Sequence, residues 1–189
     1  MTRLLATLIA AAAACAISGI AAAQNTNELQ TGTTSHKSDW ELEQERRNFK
    51  EGAVRLPAYP KPESLIEFTA GPNTRFRFFI DPASLTLEPD GVVRYTLVAR
   101  SPSGFANVTY EGMRCSSASY KVYALGDAGR WTVRDSEWRA LRSAAVQRWH
   151  TELSAEYFCP KSGSILSVEE GLDALRKGGH PGRAAKSGF

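Results

Sequence analysis

Apolar and polar residues alternate with period two between Arg75 and Val133, interrupted by Gly and Pro turns, and this pattern predicts an antiparallel meander. The best-marked part runs from Leu85 to Arg114. Glu88-Pro89-Asp90-Gly91 reads as an x-P-D-G turn: Pro89 presets φ, and Gly91 can take the left-handed conformation that closes a three-residue hairpin. That closure sets Leu87 opposite Val93 and Leu85 opposite Tyr95. A second turn, Ser101-Pro102-Ser103-Gly104, is expected to set Ala99 opposite Ala106, Leu97 opposite Val108 and Tyr95 opposite Tyr110, all on one face. On the other face the same register pairs Thr96 with Thr109, and Arg94 with Glu111 as a cross-strand ion pair.

The flanking stretches extend the sheet. Leu65 to Phe68 reads as a short strand, and in Arg75–Ile80 the residues Phe76, Phe78 and Ile80 share one face. Asp81-Pro82-Ala83-Ser84 reads as a capped helical turn with Pro82 in first position. Downstream, a strand over 119–125 places Tyr120, Val122 and Ala124 beside Arg114, Gly112 and Tyr110. The turn Gly126-Asp127-Ala128-Gly129 then returns Trp131 and Val133 opposite Ala124 and Val122.

From about Ser143 the period becomes helical, with Val146, Trp149, Leu153 and Tyr157 as the apolar stripe and Pro160 as the stop. Ser167 with Glu170 reads as a capping box for a second helix over 168–176. The expected fold is therefore α+β: an antiparallel meander of about five or six strands, with a C-terminal helix packed on it.

The ends of the chain set its compartment. Arg3, an apolar run from Leu4 to Ile20 and Ala21-Ala22-Ala23 form an export signal, with cleavage expected after Ala23. Residues 1–23 are then the signal, 24–38 a flexible lead, 39–177 a single domain and 178–189 a disordered basic tail. After cleavage no transmembrane segment is expected, and the location is periplasmic or secreted. The alternative is a lipoprotein anchored through Cys15, although Ala12 stands where such sites carry a larger aliphatic residue.

Without the signal, Cys115 and Cys159 are an even pair in an oxidising compartment, which predicts a disulfide. The rival is a metal site that adds His150, but C-x-x-C and H-x-H spacings are missing, and no metal is expected. The net charge of +3 becomes +2 when Arg3 leaves, too little for a nucleic-acid partner.

Asp39 caps a short, weakly amphipathic helix. After it comes a proline-stiffened segment, Leu56-Pro57-Ala58-Tyr59-Pro60-Lys61-Pro62. This segment either lays Leu56 and Tyr59 over the core or offers Tyr59 to a partner.

No Gly-rich phosphate loop, G-x-S-x-G elbow or H-E-x-x-H is present, so neither cofactor nor catalytic residue is assigned. His36 and His180 fall in the expected tails, which leaves His150 as the one histidine placed to act as a general base, expected at the helix surface or boundary. The best polar cluster is Arg94, Arg100, Asn107, Thr109 and Glu111, expected together on one sheet face. It is either a cradle for an anionic group or a self-satisfied ion-pair network.

Several strings in order carry a family likeness. They are Leu56-Pro57-Ala58-Tyr59-Pro60-Lys61-Pro62, Phe78-Phe79-Ile80-Asp81, Asp90-Gly91-Val92-Val93-Arg94-Tyr95-Thr96-Leu97, Ser101-Pro102-Ser103-Gly104, Tyr110-Glu111-Gly112-Met113-Arg114-Cys115 and Tyr157-Phe158-Cys159-Pro160. Over roughly Trp40 to Pro160 the chain resembles the cryptic neisserial protein-like family, small exported bacterial proteins of unknown function. The resemblance implies export, a bacterial source and a paired Cys115 and Cys159, and it carries over no catalytic or ligand residue. The expected function is a non-catalytic envelope protein that binds another protein or a cell-wall component. The alternative is a small periplasmic enzyme or ligand-binding protein using Arg94, Glu111 and His150.

Overall fold

The structure is a computed structural model and describes residues 38–71, 74–141, 148–160 and 163–182. The expected signal, residues 24–37 of the expected lead, Cys15, His36, Val146 and the chain beyond Gly182 lie outside those residues.

Successive turns fold the chain back on itself into a seven-stranded antiparallel sheet. In order the strands are β1 (Ile66–Phe68), β2 (Arg77–Leu87), β3 (Val92–Arg100), β4 (Ala106–Arg114), β5 (Ser119–Asp127) and β6 (Arg130–Val133). The short β7 (Arg139–Ala140) pairs with the start of β5, at Ser119 and Tyr120, while β6 pairs with its end.

The first hairpin closes as the sequence reads. Glu88 N–H donates to Val92 O, Gly91 takes φ +74°, and Leu87 faces Val93. Asp81–Ser84 is not a helical turn, however; it is a bulge inside β2. The ladder jumps from Asp81↔Thr96 to Thr86↔Arg94. Across the gap, Ser84 Oγ accepts the Thr96 N–H at 2.7 Å and donates to Asp81 O at 2.8 Å. Pro82 is tolerated there because it has no N–H to lose from the ladder.

The second hairpin departs from expectation by one residue. Ser101 N–H donates to Phe105 O, so Arg100 pairs with Ala106 and residues 101–105 form the loop. Ala99 then faces Asn107, Leu97 faces Thr109, and Tyr95 faces Glu111. A one-residue slip exchanges the two faces of a strand. Glu111 therefore joins Tyr95, Tyr110 moves to the side of Arg94, and Arg94 faces Gly112. The expected Arg94–Glu111 ion pair does not form.

The β4–β5 ladder carries a further bulge, passing from Tyr110↔Ala124 to Glu111↔Val122 with Tyr123 as the extra residue. Val122 and Tyr120 consequently face Glu111 and Met113, one place from the expected partners. The last hairpin turns on Ala128-Gly129, both at positive φ. This two-residue turn of the type that suits strand twist pairs Asp127 with Arg130. Val133 is therefore opposite Ala124, and Trp131 opposite Gly126.

One sheet face is covered by helices. α2 (Arg148–Leu153) runs into a π turn (Ser154–Phe158), and α3 (Val168–Arg176) follows. Cys159 N–H donates to Ser154 O, five residues back. That widened turn presents Tyr157, Phe158 and Cys159 inward together, which a regular 3.6-residue stripe would not do. They meet Phe68, Ile80, Val93 and Met113 in the main core. Cys115 and Cys159 form the disulfide, with Cα atoms 5.3 Å apart.

Ser167 caps α3 through the Glu170 N–H, while the Glu170 carboxylate accepts from Leu166 N–H and bonds His180. His180 is buried and its N–H donates to Glu156 O, so ordered structure continues to Gly182, past the expected boundary at 177.

The opposite sheet face is crossed by the extended segment 49–65. Trp131 Nε1 donates to Pro57 O at 2.9 Å, and Tyr59 packs on the Trp131 ring at 5.3 Å. Tyr59 and Leu65 cover Phe79, Val98 and Val108, whereas Leu56 is exposed. Ahead of this segment, α1 (Asp39–Asn48) begins with Ser38 as its cap, one residue before the expected Asp39.

Candidate functional site: an aromatic cavity beside a buried Glu–His pair

The register of β4 aims Glu111 at the helical layer, and α2 brings His150 to meet it. His150 Nε2 and Glu111 Oε2 are 2.8 Å apart, and Thr109 Oγ1 donates to Glu111 Oε1 at 2.7 Å. Both partners are buried, so His150 is not the surface or boundary histidine expected from its place beside the helical stripe. Tyr120 stacks on the imidazole at 3.8 Å between centroids and fixes its plane. The second ring nitrogen, Nδ1, is buried without a hydrogen bond.

Burial alone raises the Glu111 carboxyl. The electrostatic attraction and hydrogen bond of the His150 ring, with the Thr109 and Tyr95 hydroxyls, outweigh it and hold the group below its ordinary value. Tyr95, directly opposite and fully buried, has its phenol pushed well up by burial and by the carboxylate beside it.

Glu111 and Thr109 also line a cavity of about 590 Å³ on the same side of the sheet. Its walls are four aromatic rings, Phe76, Phe78, Phe105 and Trp149, with Leu97 and Ala99 below them. Phe78 and Trp149 are stacked, 5.3 Å apart and 22° from parallel. Phe76 and Phe105 remain 41% and 67% exposed, which places apolar rings where the cavity opens to solvent. Thr74, Asn107 and Asp127 supply the remaining polar edges.

The other sheet face holds a second polar cluster. Arg94 makes a two-point contact with Asp90, at 2.6 and 3.2 Å, and both side chains are almost fully buried. Asp90 also accepts the Gly52 and Val92 N–H groups. Burial raises the Asp90 carboxyl, but these partners more than reverse the effect and leave it low. Beside them, Glu51 accepts from Tyr123 Oη at 2.6 Å and pairs with Lys121 at 3.0 Å; burial and Glu51 push the Tyr123 phenol far up. This cluster ties segment 49–52 to the sheet.

The structure thus divides the residues singled out in the sequence. Asn107, Thr109 and Glu111 lie at the helix-side cavity, with His150 behind Glu111. Arg94 and Arg100 lie on the opposite face, Arg100 over the Phe79 ring, and Tyr59 packs there on Trp131. Sequence reasoning treated Asp90 as a turn residue and assigned Phe105, Trp149 and Tyr120 no site. Asp90 had a legible signal: an acid in the turn four residues before an Arg can fold back onto it. The aromatic walls had none, because rings that line a cavity and rings that fill a core share one pattern.

Among the described residues no helix is long and apolar enough to cross a membrane, and no group of three or more His, Cys, Asp or Glu side chains is placed to hold a metal.

The chain is 31% identical over 112 residues to Cryptic neisserial protein 1 of Neisseria gonorrhoeae (strain ATCC 700825 / FA 1090). That match covers 50% of this chain and 55% of the relative, so the chain spans about half the relative's length. No solved structure matches. The CNP1-like family model matches residues 44–176, which takes in every described strand, the disulfide and the Glu111–His150 pair; the chain belongs to the CNP1-like family.

Proposed function

We propose that this protein is an exported, non-catalytic binding protein that holds a small, largely apolar envelope component in the helix-side cavity. The observation that carries the reading is the cavity itself: about 590 Å³, walled by four aromatic rings and edged by a few polar groups. That volume falls within the range of about 300–1,000 Å³ common to small-molecule sites, and a mainly apolar lining with a few convergent polar groups is their usual chemistry. The Leu4–Ile20 run with Ala21-Ala22-Ala23 supports export. A binding role is favoured over an enzymatic one because the buried acid is held low. A carboxylate below its ordinary value is a weak base at neutral pH, and both of its oxygens are already engaged.

An apolar fluorescent probe tests the cavity. N-phenylnaphthylamine should brighten on the native protein, and Ala99→Trp, which fills the cavity, should abolish that signal while the far-UV spectrum stays native. Equal binding by both proteins, or none by the native one, refutes the reading. Export is checked by fractionation and intact mass. A periplasmic chain that starts at Gln24 is expected; a cytosolic full-length chain contradicts export, and a diacylated chain that starts at Cys15 replaces cleavage after Ala23 with a lipid anchor.

A further inference from the structure

We infer that the helix-side cavity selects a ligand that joins an apolar, ring-sized body to a cationic nitrogen, an inference that rests on reading the cavity as a binding site. Both charged side chains among its described lining residues, Glu111 and Asp127, are acidic. Glu111 is 2% exposed, so its charge is poorly screened where it meets the cavity. Thr109 and His150 hold the two carboxylate oxygens at 2.7 and 2.8 Å, with Tyr95 beside them, so the acid is fixed in place at the cavity wall.

The aromatic walls add to the same preference. A ring face carries the negative side of its quadrupole, and a cation held over it is attracted, most strongly over indole. Trp149 and Phe78 present a stacked pair here, with Phe76 tilted 40° to Phe78 at 6.4 Å. A ligand with an apolar body and an ammonium group satisfies both parts of the lining. A carboxylate or phosphate would meet two like charges, and a neutral hydrocarbon would gain nothing from either carboxylate of the lining.

Three probes of matched shape separate these cases: phenylpropylammonium, phenylpropanol and phenylpropionate, each titrated calorimetrically into the mature protein. The ammonium should bind about tenfold more tightly than the alcohol, the contribution of one charge-assisted contact, with the carboxylate weakest. Glu111→Gln should bring the ammonium down to the affinity of the alcohol. Because Glu111 also supports the fold through its buried pair with His150, Asp127→Asn at the exposed rim provides an independent reading: it should narrow the ammonium preference severalfold and leave alcohol binding unchanged. If the alcohol or the carboxylate binds as tightly as the ammonium, the charge preference is overturned while the cavity remains a binding site. If none of the three binds, both the preference and the binding-site reading fall.

Discussion

Ser84 shows how much a single hydroxyl can do in this fold. It stands in for a missing ladder bond, accepting the Thr96 N–H and donating to Asp81 O in a buried setting. Ser84→Ala leaves both backbone groups unpaired away from water, so chemical denaturation should report a loss of about 1–3 kcal/mol. Glu111 makes a prediction of a different kind. Its folded-state pKa lies below its unfolded value of about 4.3. Its contribution to stability is therefore complete above the unfolded value and is lost as the pH falls through the lower folded one. Melting temperatures followed from about pH 5 down to pH 3 should fall more steeply for the native protein than for Glu111→Gln. Equal slopes would mean the pair contributes nothing differential. Neither role was legible from the residue alone. Asp81-Pro82-Ala83-Ser84 has the spelling of a helical first turn, and what makes it a bulge is the bond its Ser84 hydroxyl accepts from the neighbouring strand's Thr96 N–H.

At the scale of the element, the hairpins show which part of register is local. Glu88-Pro89-Asp90-Gly91 fixes its own closure, and Leu87 opposite Val93 follows from the turn chemistry. Ser101-Pro102-Ser103-Gly104 does not: the choice between pairing Ala99 with Ala106 and pairing Arg100 with Ala106 rests on Ser101, whose N–H donates to Phe105 O while its Oγ accepts the Phe105 N–H, a closure that the turn's spelling does not distinguish from its neighbour. That one residue separates an Arg94–Glu111 pair from a Glu111–His150 pair, and it moves the candidate site to the other side of the sheet. The helical stripe Trp149, Leu153 and Tyr157 was legible because period 3.6 is a long-range signal, whereas the π turn that brings in Phe158 and Cys159 lies in a single backbone bond.

Gly112 records the close approach at the β4–β5 bulge. A Cβ there would lie 2.5 Å from Tyr123 Oη, and the Glu51 hydrogen bond at 2.6 Å holds that ring in place. Gly112→Ala should therefore cost about 1–3 kcal/mol. Pairing it with Tyr123→Phe tests the cause. The double variant should recover part of the loss if the hydroxyl contact is responsible, and none if strand propensity is.

In the whole molecule, a single sheet carries two unlike surfaces. One is tied down by an extended segment through Asp90, Arg94, Glu51 and Trp131; the other is stapled to helices by Cys115–Cys159 and leaves an aromatic cavity open. The disulfide bridges a sequence separation of 44, and its loss should lower unfolding free energy by about 4 kcal/mol on the chain-entropy account. Urea melts with and without reductant measure that directly. The α+β class, the meander and the disulfide were all legible, because each is set by periodicity or by counting. The cavity was not, since its lining comes from strands β2, β3, β4 and β5 and from Trp149 of α2, residues far apart in the chain that no local pattern marks as neighbours.

Methyl and backbone amide NMR shifts, followed while phenylpropanol is titrated into the mature protein, test that cavity most directly. The account predicts saturable shifts concentrated at Leu97, Ala99, Leu125 and the Trp149 indole N–H, and their disappearance in Ala99→Trp. Shifts gathered instead at exposed apolar residues elsewhere, such as Trp40, Val54, Leu56, Val133 and Leu166, or persisting in the filled variant, would contradict it.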